Sequence, residues 1–164
     1  MTRSRVVVVA ILAAASLGGW WLGQARRAAT AEWTVVNVVD GDTIDVARSV
    51  DGRDTDTVRL LGVDTPETHH PTKPVECFGP EAASFTKEHL AGRSVQLEVD
   101  IEQRDRYGRR LAYVLVDGER FNDELLRRGY ARLLVIEPNH AHARTMLREE
   151  LDAKRAGRGL WSEC

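Results

Sequence analysis

Cysteine is scarce in this 164-residue chain: only Cys77 and Cys164 occur. Two cysteines exclude a disulfide-dense miniprotein and an all-cysteine zinc centre. A basic excess is also missing. Lys and Arg number 23 against 25 Asp and Glu, a net charge of −2 with a pI near 6.2. The chain as a whole is therefore not a strongly basic nucleic-acid binder. Internal repeats and low-complexity tracts are absent. With 43% hydrophobic and 29% charged residues, the composition is that of one globular domain. It excludes a mainly disordered, collagen-like or multi-span membrane chain.

Acidic residues are missing altogether from residues 1–31, which hold Arg3, Arg5, Arg26 and Arg27. Setting those four arginines aside leaves 19 basic residues against all 25 acidic ones, so residues 32–164 carry −6. An acidic domain either avoids polyanions or needs a cation and a few well-placed arginines to meet one. Residues 6–22 are apolar apart from Ser16 and two glycines. As a helix this run would be about 26 Å long, slightly short of a bilayer core. Arginines followed by such a run have the form of an export segment. Ala29-Thr30-Ala31 fits cleavage, whereas Trp20-Trp21 and Arg26-Arg27 fit a retained membrane anchor. Either way residues 32–164 are expected outside the cytoplasm, secreted or tethered to the membrane. An oxidising compartment favours a disulfide between Cys77 and Cys164, with two unpaired thiols as the alternative.

Within residues 32–164, five segments read as strands: 33–39 (WTVVNVV), 43–46, 57–63 (TVRLLGV), 95–99 and 110–116. Pro80 opens a helix that Gly92 stops. Asn122 caps a short helix ending at Gly129. A last helix runs from Pro138-Asn139 to about Gly157, with Met146, Leu147 and Leu151 inward. Five short strands with a helix between the third and fourth predict a mainly β fold with α. The expected form is a five-stranded OB-type Greek-key barrel packed with about three helices. Fold alone does not give a function.

Three stretches carry chemistry: Asp40-Gly41-Asp42-Thr43, then residues 59–67 (RLLGVDTPE), then Asp105-Arg106-Tyr107-Gly108-Arg109. Asp42 and Asp64 sit at the ends of different strands and could converge on a hard cation such as Ca²⁺ or Mg²⁺. Arg59 lies inside an apolar strand, where a charge needs a partner or a ligand. Glu67 follows a rigid Thr-Pro pair, as a positioned base requires. A metal, a carboxylate base and two guanidinium groups, here from Arg59 and Arg109, form a kit for phosphodiester cleavage. His69-His70, His140 and His142 read as solvated side chains. Trp161 reads as a residue docking the last turn, and Arg127, Arg128 and Arg132 as a solvated helix end.

At VVDGDTIDV, VRLLGVDTPET, ECFGPEAASFTK, DRYGRRLAYV and GLWSEC the sequence resembles the staphylococcal nuclease (thermonuclease) family. The resemblance runs from about residue 33 to residue 164. It implies an OB barrel with three helices and Ca²⁺-dependent cleavage of DNA and RNA that leaves 3′-phosphate ends. It implies Asp42, Asp64 and the Thr65 carbonyl as metal ligands, with Asp40 just outside them. It implies Glu67 as general base and Arg59 and Arg109 as phosphate-binding catalytic residues, with Arg106 and Tyr107 near the substrate. The segment 133–137 departs from the family pattern, because it lacks the tyrosines that pack on a nucleotide.

The expected organisation is an export segment or anchor over 1–31 and a monomeric nuclease domain over 32–164. Two other classes compete with it. One is an OB-fold module that binds nucleic acid or protein without cleaving. The other is a membrane-tethered interaction domain. The presence of Asp42, Arg59, Asp64, Glu67 and Arg109 together favours the enzyme.

Overall fold

The computed structural model describes residues 32–48, 54–68 and 74–164. The apolar run 6–22, the loop tip at Asp51-Gly52 and His69-His70 lie outside these residues. Strand β1 (Glu32–Asp40) is the longest, and β-branched residues on its inward face bury beside Trp33. It pairs antiparallel with β2 (Thr43–Ala47), and β2 with β3 (Thr55–Leu60). Across β1 lies β5 (Ser94–Glu98), which pairs with β6 (Arg110–Val116). The sheet then closes on itself, because β3 pairs parallel with β6, setting Val58, Arg59 and Leu60 against Arg110, Leu111 and Ala112. The five-stranded barrel expected from the sequence is therefore present, and no barrel strand keeps an open edge there.

The third expected strand is interrupted. Gly62 has φ +74°, and a Cβ there would press into the Met146 side chain, so only glycine suits this kink. Beyond it, β4 (Gly62–Asp64) leaves the barrel and pairs with β8 (Arg132–Leu134). A two-residue strand, β7 (Glu119–Arg120), folds back on β6.

Helices cover the barrel. Helix α1 (Gly79–Leu90) buries Ala82, Phe85 and Leu90. Helix α2 (Phe121–Arg128) ends at Gly129 as expected, but Asn122 lies within it rather than capping it. The buried Asn122 side chain accepts from the Val114 amide at 2.8 Å and donates to the Leu61 carbonyl at 2.8 Å, tying helix to barrel. Helix α3 (Ala143–Arg155) begins later than Pro138, and α4 (Leu160–Glu163) adds a fourth, four-residue helix. The inward face of α3 corrects one expectation. Met146, Glu150 and Ala153 are buried, while Leu147 and Leu151 are exposed. Glu150 earns its place by accepting from the Leu133 amide at 3.1 Å and pairing with Lys154 at 3.3 Å.

Cys77, just before α1, is joined by a disulfide to Cys164, just after α4. Among the described residues no helix is long and apolar enough to cross a membrane.

Candidate active site

The turn between β1 and β2 and the stretch after β4 meet at one end of the barrel. Gly41 permits the contact, since a Cβ on it would come within 2.8 Å of the Thr65 hydroxyl. The Gly41 carbonyl accepts from the Thr86 hydroxyl at 2.7 Å, which anchors the turn to α1. Asp40 accepts from the Gly41 amide and the Thr68 hydroxyl, both at 2.8 Å. It thus links the turn to the loop beyond Thr65.

Asp42 is 7% exposed, and its carboxylate accepts from the Thr43 hydroxyl at 3.1 Å and the Thr65 amide at 3.0 Å. Arg59, 9% exposed, lies opposite the next residue, Thr43, in the β2–β3 register. The Arg59 guanidinium donates through Nη1 to the carbonyls of Leu60 (2.7 Å) and Val63 (2.8 Å). Its Nη2 lies 3.1 Å from Asp42 Oδ2 and 3.4 Å from Asp64 Oδ1. The buried charge suspected from the apolar strand is thus fully engaged, with both a pairing partner and backbone acceptors.

Two carboxylates meeting on one nitrogen have converged. Burial pushes the Asp64 carboxyl above its ordinary pKa; Arg59 opposes this, while Asp42 and Glu76 add to it. Such a pair gains from a cation. Among the described residues no group of three or more His, Cys, Asp or Glu side chains gathers as a metal site. Further ligands would have to be backbone oxygens or water. The buried Thr65 hydroxyl has no hydrogen-bond partner, so a polar atom is left open beside the pair. This all-oxygen donor set fits a hard divalent cation and not zinc.

Glu67 stands two residues beyond Thr65, half-buried. Its backbone is fixed from both sides: Glu76 N donates to the Glu67 carbonyl at 2.9 Å, and Glu67 N to the Glu76 carboxylate at 3.2 Å. The next residue is the disulfide-bonded Cys77. Phe78 follows in a left-handed conformation (φ 70°), with its ring stacked on Tyr130 at 5.4 Å.

Arg109 comes from the hairpin that precedes β6, the strand beside β3. It precedes β6, two residues before Leu111, the register partner of Arg59. Asp105 holds it twice, at its amide (3.0 Å) and at Nε (2.8 Å). Burial acts to raise the Asp105 carboxyl, but the bonds from Arg109 and from the Tyr107 amide outweigh it and hold its pKa low. Tyr107 is exposed and lies beside Arg106, whose Nη2 donates to its hydroxyl at 2.6 Å. Sequence reasoning included Asp105 in the third stretch but gave it no role, although an acid four residues before an arginine at a turn is a readable signal.

Other sequence readings fall elsewhere. His140 is exposed on Glu137, but His142 is only partly exposed, bound to Glu98 at 2.8 Å and edge-on to Tyr113. The Trp161 ring has the Lys154 ammonium at 4.3 Å and the Arg132 guanidinium at 5.6 Å from its centroid. An open cleft of about 570 Å³ at the end of α2 is lined by Arg127, Arg128, Tyr130, Arg158 and Gly159. There Arg158 donates to the Arg127 carbonyl and Arg128 pairs with Glu124, so these arginines close a helix end.

The family profile described as staphylococcal nuclease homologue matches residues 57–163. The chain belongs to the staphylococcal nuclease family. Its similarity to individual staphylococcal nuclease homologues covers most of its length. A thermonuclease of Staphylococcus hyicus is 42% identical over 130 residues, 79% of this chain and 75% of that protein. A thermonuclease of Staphylococcus intermedius is 42% identical over 129 residues, with the same shares. Endonuclease YncB of Bacillus subtilis is 42% identical over 132 residues, 79% of this chain and 61% of its own.

Proposed function

We propose that this chain is a Ca²⁺-dependent endonuclease that hydrolyses phosphodiester bonds of DNA and RNA and leaves 3′-phosphate ends. The observation that carries the proposal is the meeting of Asp42 and Asp64 on Arg59 at one barrel end, with Glu67 on the adjoining loop. Relatives named thermonuclease and endonuclease support it.

Asp42, Asp64 and the Thr65 carbonyl would hold the Ca²⁺, with Asp40 orienting the turn that presents Asp42. When bound, the cation neutralises charge on the phosphoryl group and orients it. Glu67 positions and deprotonates a water for in-line attack at phosphorus. Arg109 donates its two Nη groups to phosphoryl oxygens, and Arg59 offers its Nε together with the Nη2 it otherwise shares with Asp42 and Asp64; both stay charged throughout. Both are preorganised, Arg59 by two carbonyls and Arg109 by Asp105, so little reorganisation accompanies the growing charge. The bond from phosphorus to the 5′ oxygen breaks and that oxygen takes a proton from solvent water, leaving a 3′-phosphate and a 5′-hydroxyl. Arg106 and Tyr107 flank Arg109 and contact the strand.

The local excess of arginine on the 104–110 hairpin answers the domain's charge of −6. The enzyme acts as a monomer outside the cytoplasm, carried there by residues 1–31 as a signal or membrane anchor. The Cys77–Cys164 disulfide supports an oxidising compartment.

The test is cleavage of heat-denatured DNA by residues 32–164 with CaCl₂ and with EGTA, followed by end-group analysis. Ca²⁺-dependent degradation to 3′-phosphate ends is expected. A folded sample that binds DNA and leaves it intact would instead identify a non-catalytic OB-fold module.

A further inference from the structure

Asp56 lies near the start of β3, three residues before Arg59, and its side chain is mostly buried. It binds two arginines from the far side of the sequence. Arg104 grips it with both terminal nitrogens, Nη1 to Oδ1 at 3.0 Å and Nη2 to Oδ2 at 2.7 Å. Arg110 adds Nε to Oδ2 at 3.0 Å, with its guanidinium 5.4 Å from the Trp33 ring. A two-pronged arginine–carboxylate contact fixes direction as well as distance. The same Arg104 Nη1 also donates to the Gly108 carbonyl at 2.6 Å. That carbonyl belongs to the peptide bond that leads into Arg109.

We propose that Asp56 is a positioning residue for Arg109, acting through Arg104. Arg104 and Arg110 stand at the two feet of the hairpin and bridge one another. Asp56 clamps both feet to the strand that carries Arg59. The clamp therefore sets the spacing between the two phosphate-binding arginines, one on each side of the β3–β6 contact. Asp105 aims the Arg109 side chain, whereas Asp56 places the backbone from which it is aimed. Burial alone would raise the Asp56 carboxyl, but hydrogen bonds from Arg104 and Arg110 and their charges outweigh it. The carboxylate is thus kept ionised in its clamp. The inference rests on the phosphate-binding role proposed for Arg109.

The experiment is a double-mutant cycle on the purified domain with Ca²⁺ and a defined single-stranded oligonucleotide. Asp56→Asn is expected to lower kcat about tenfold, the scale of a small misplacement of a catalytic group. In an Arg109→Ala background the same substitution is expected to change kcat less than twofold, because the group it positions is gone. Arg104→Gln, at a half-exposed site, is expected to match Asp56→Asn and to add nothing to it. It carries the test should Asp56→Asn fail to fold. A purely structural role would lower kcat by the same factor in both backgrounds, and that result overturns the clamp. So does full activity in folded Asp56→Asn. Undiminished cleavage by Arg109→Ala overturns both the clamp and the role of Arg109, whereas a large loss there with additive Asp56→Asn overturns the clamp alone.

Discussion

Glu67 and Arg109 are carried on two different loops, and the loops are held by different forces. The Glu67 loop is tied covalently. Its closing bonds to Glu76 lie next to Cys77, whose disulfide reaches the C-terminal helix, and Phe78 is stacked on Tyr130. The Arg109 hairpin is tied by charge. Asp105 and Asp56 hold it through three arginine ion pairs, and Arg104 adds a bond to the Gly108 carbonyl, with no large apolar side chain buried in its tip. Between them Arg59 is fixed by barrel strands and by two carboxylates. Covalent and ionic ties fail under different conditions, so the two halves of the site can be loosened separately.

The largest effects are on the rate. Glu67→Gln and Arg109→Ala are each expected to lower kcat by about 10²–10⁴-fold in folded protein, since removing a base or a charge-stabilising donor costs that much. Steady-state kinetics with circular dichroism on the same samples checks this. If only one of the two matters, the loops are not partners. Next comes the disulfide. Replacing Cys77 and Cys164 with serine frees a loop of 87 residues. The chain-entropy model then predicts a stability loss of about 4.6 kcal/mol, measurable by urea unfolding. Hydrogen exchange should rise at residues 74–78 and stay unchanged at residues 104–111. Equal loosening of both segments would erase the distinction drawn between them.

Arg59 supplies the third standard. Arg59→Gln strands the buried Asp42 and is expected to lower stability by about 3 kcal/mol without cation. Millimolar CaCl₂ should recover part of the loss, read as a rise in melting temperature larger than in the parent chain. The smallest effect is that of acid. Asp105 and Asp56 have pKa values held below the ordinary 3.8, so the folded hairpin binds fewer protons than the unfolded chain near that pH. Their contribution is complete above pH 3.8 and is lost as pH falls through the lowered folded values. At about 1 kcal/mol for these partly exposed pairs, exchange protection of the Gly108 and Leu111 amides should fall before that of the Gly79 amide beside the disulfide, which a backbone carbonyl holds.

Much of this architecture is written locally. Strand β6 matches its expected bounds, 110–116, because its apolar run begins at a charged hairpin and ends at Asp117-Gly118. Asp42, Arg59, Asp64 and Glu67 were readable because each sits oddly: acids at strand ends, a guanidinium in an apolar strand, a carboxylate after Thr-Pro. What could not be read depends on distant partners. Nothing in the local sequence marks Glu150 as buried, because its partner is the Leu133 amide of another element. Asn122 resembled a cap, yet its amide serves the barrel. Asp56 gave no signal at all, since Arg104 lies 48 residues further along. A short-range pattern cannot report a contact that only the closed barrel creates.

That closure has a consequence for time as well as place. The β3–β6 seam joins residues 58–60 to 110–112, and β1 meets β5 some sixty residues away. Pairings this remote in sequence are slow to find, because the chain loses loop entropy before any contact rewards it. Refolding on the millisecond-to-second scale of all-β barrels is therefore expected. The seam is also the contact that sets Arg59 beside the root of the Arg109 hairpin. An incompletely zipped chain can hold each arginine but not the distance between them, so competence arrives in one step, with the final seam.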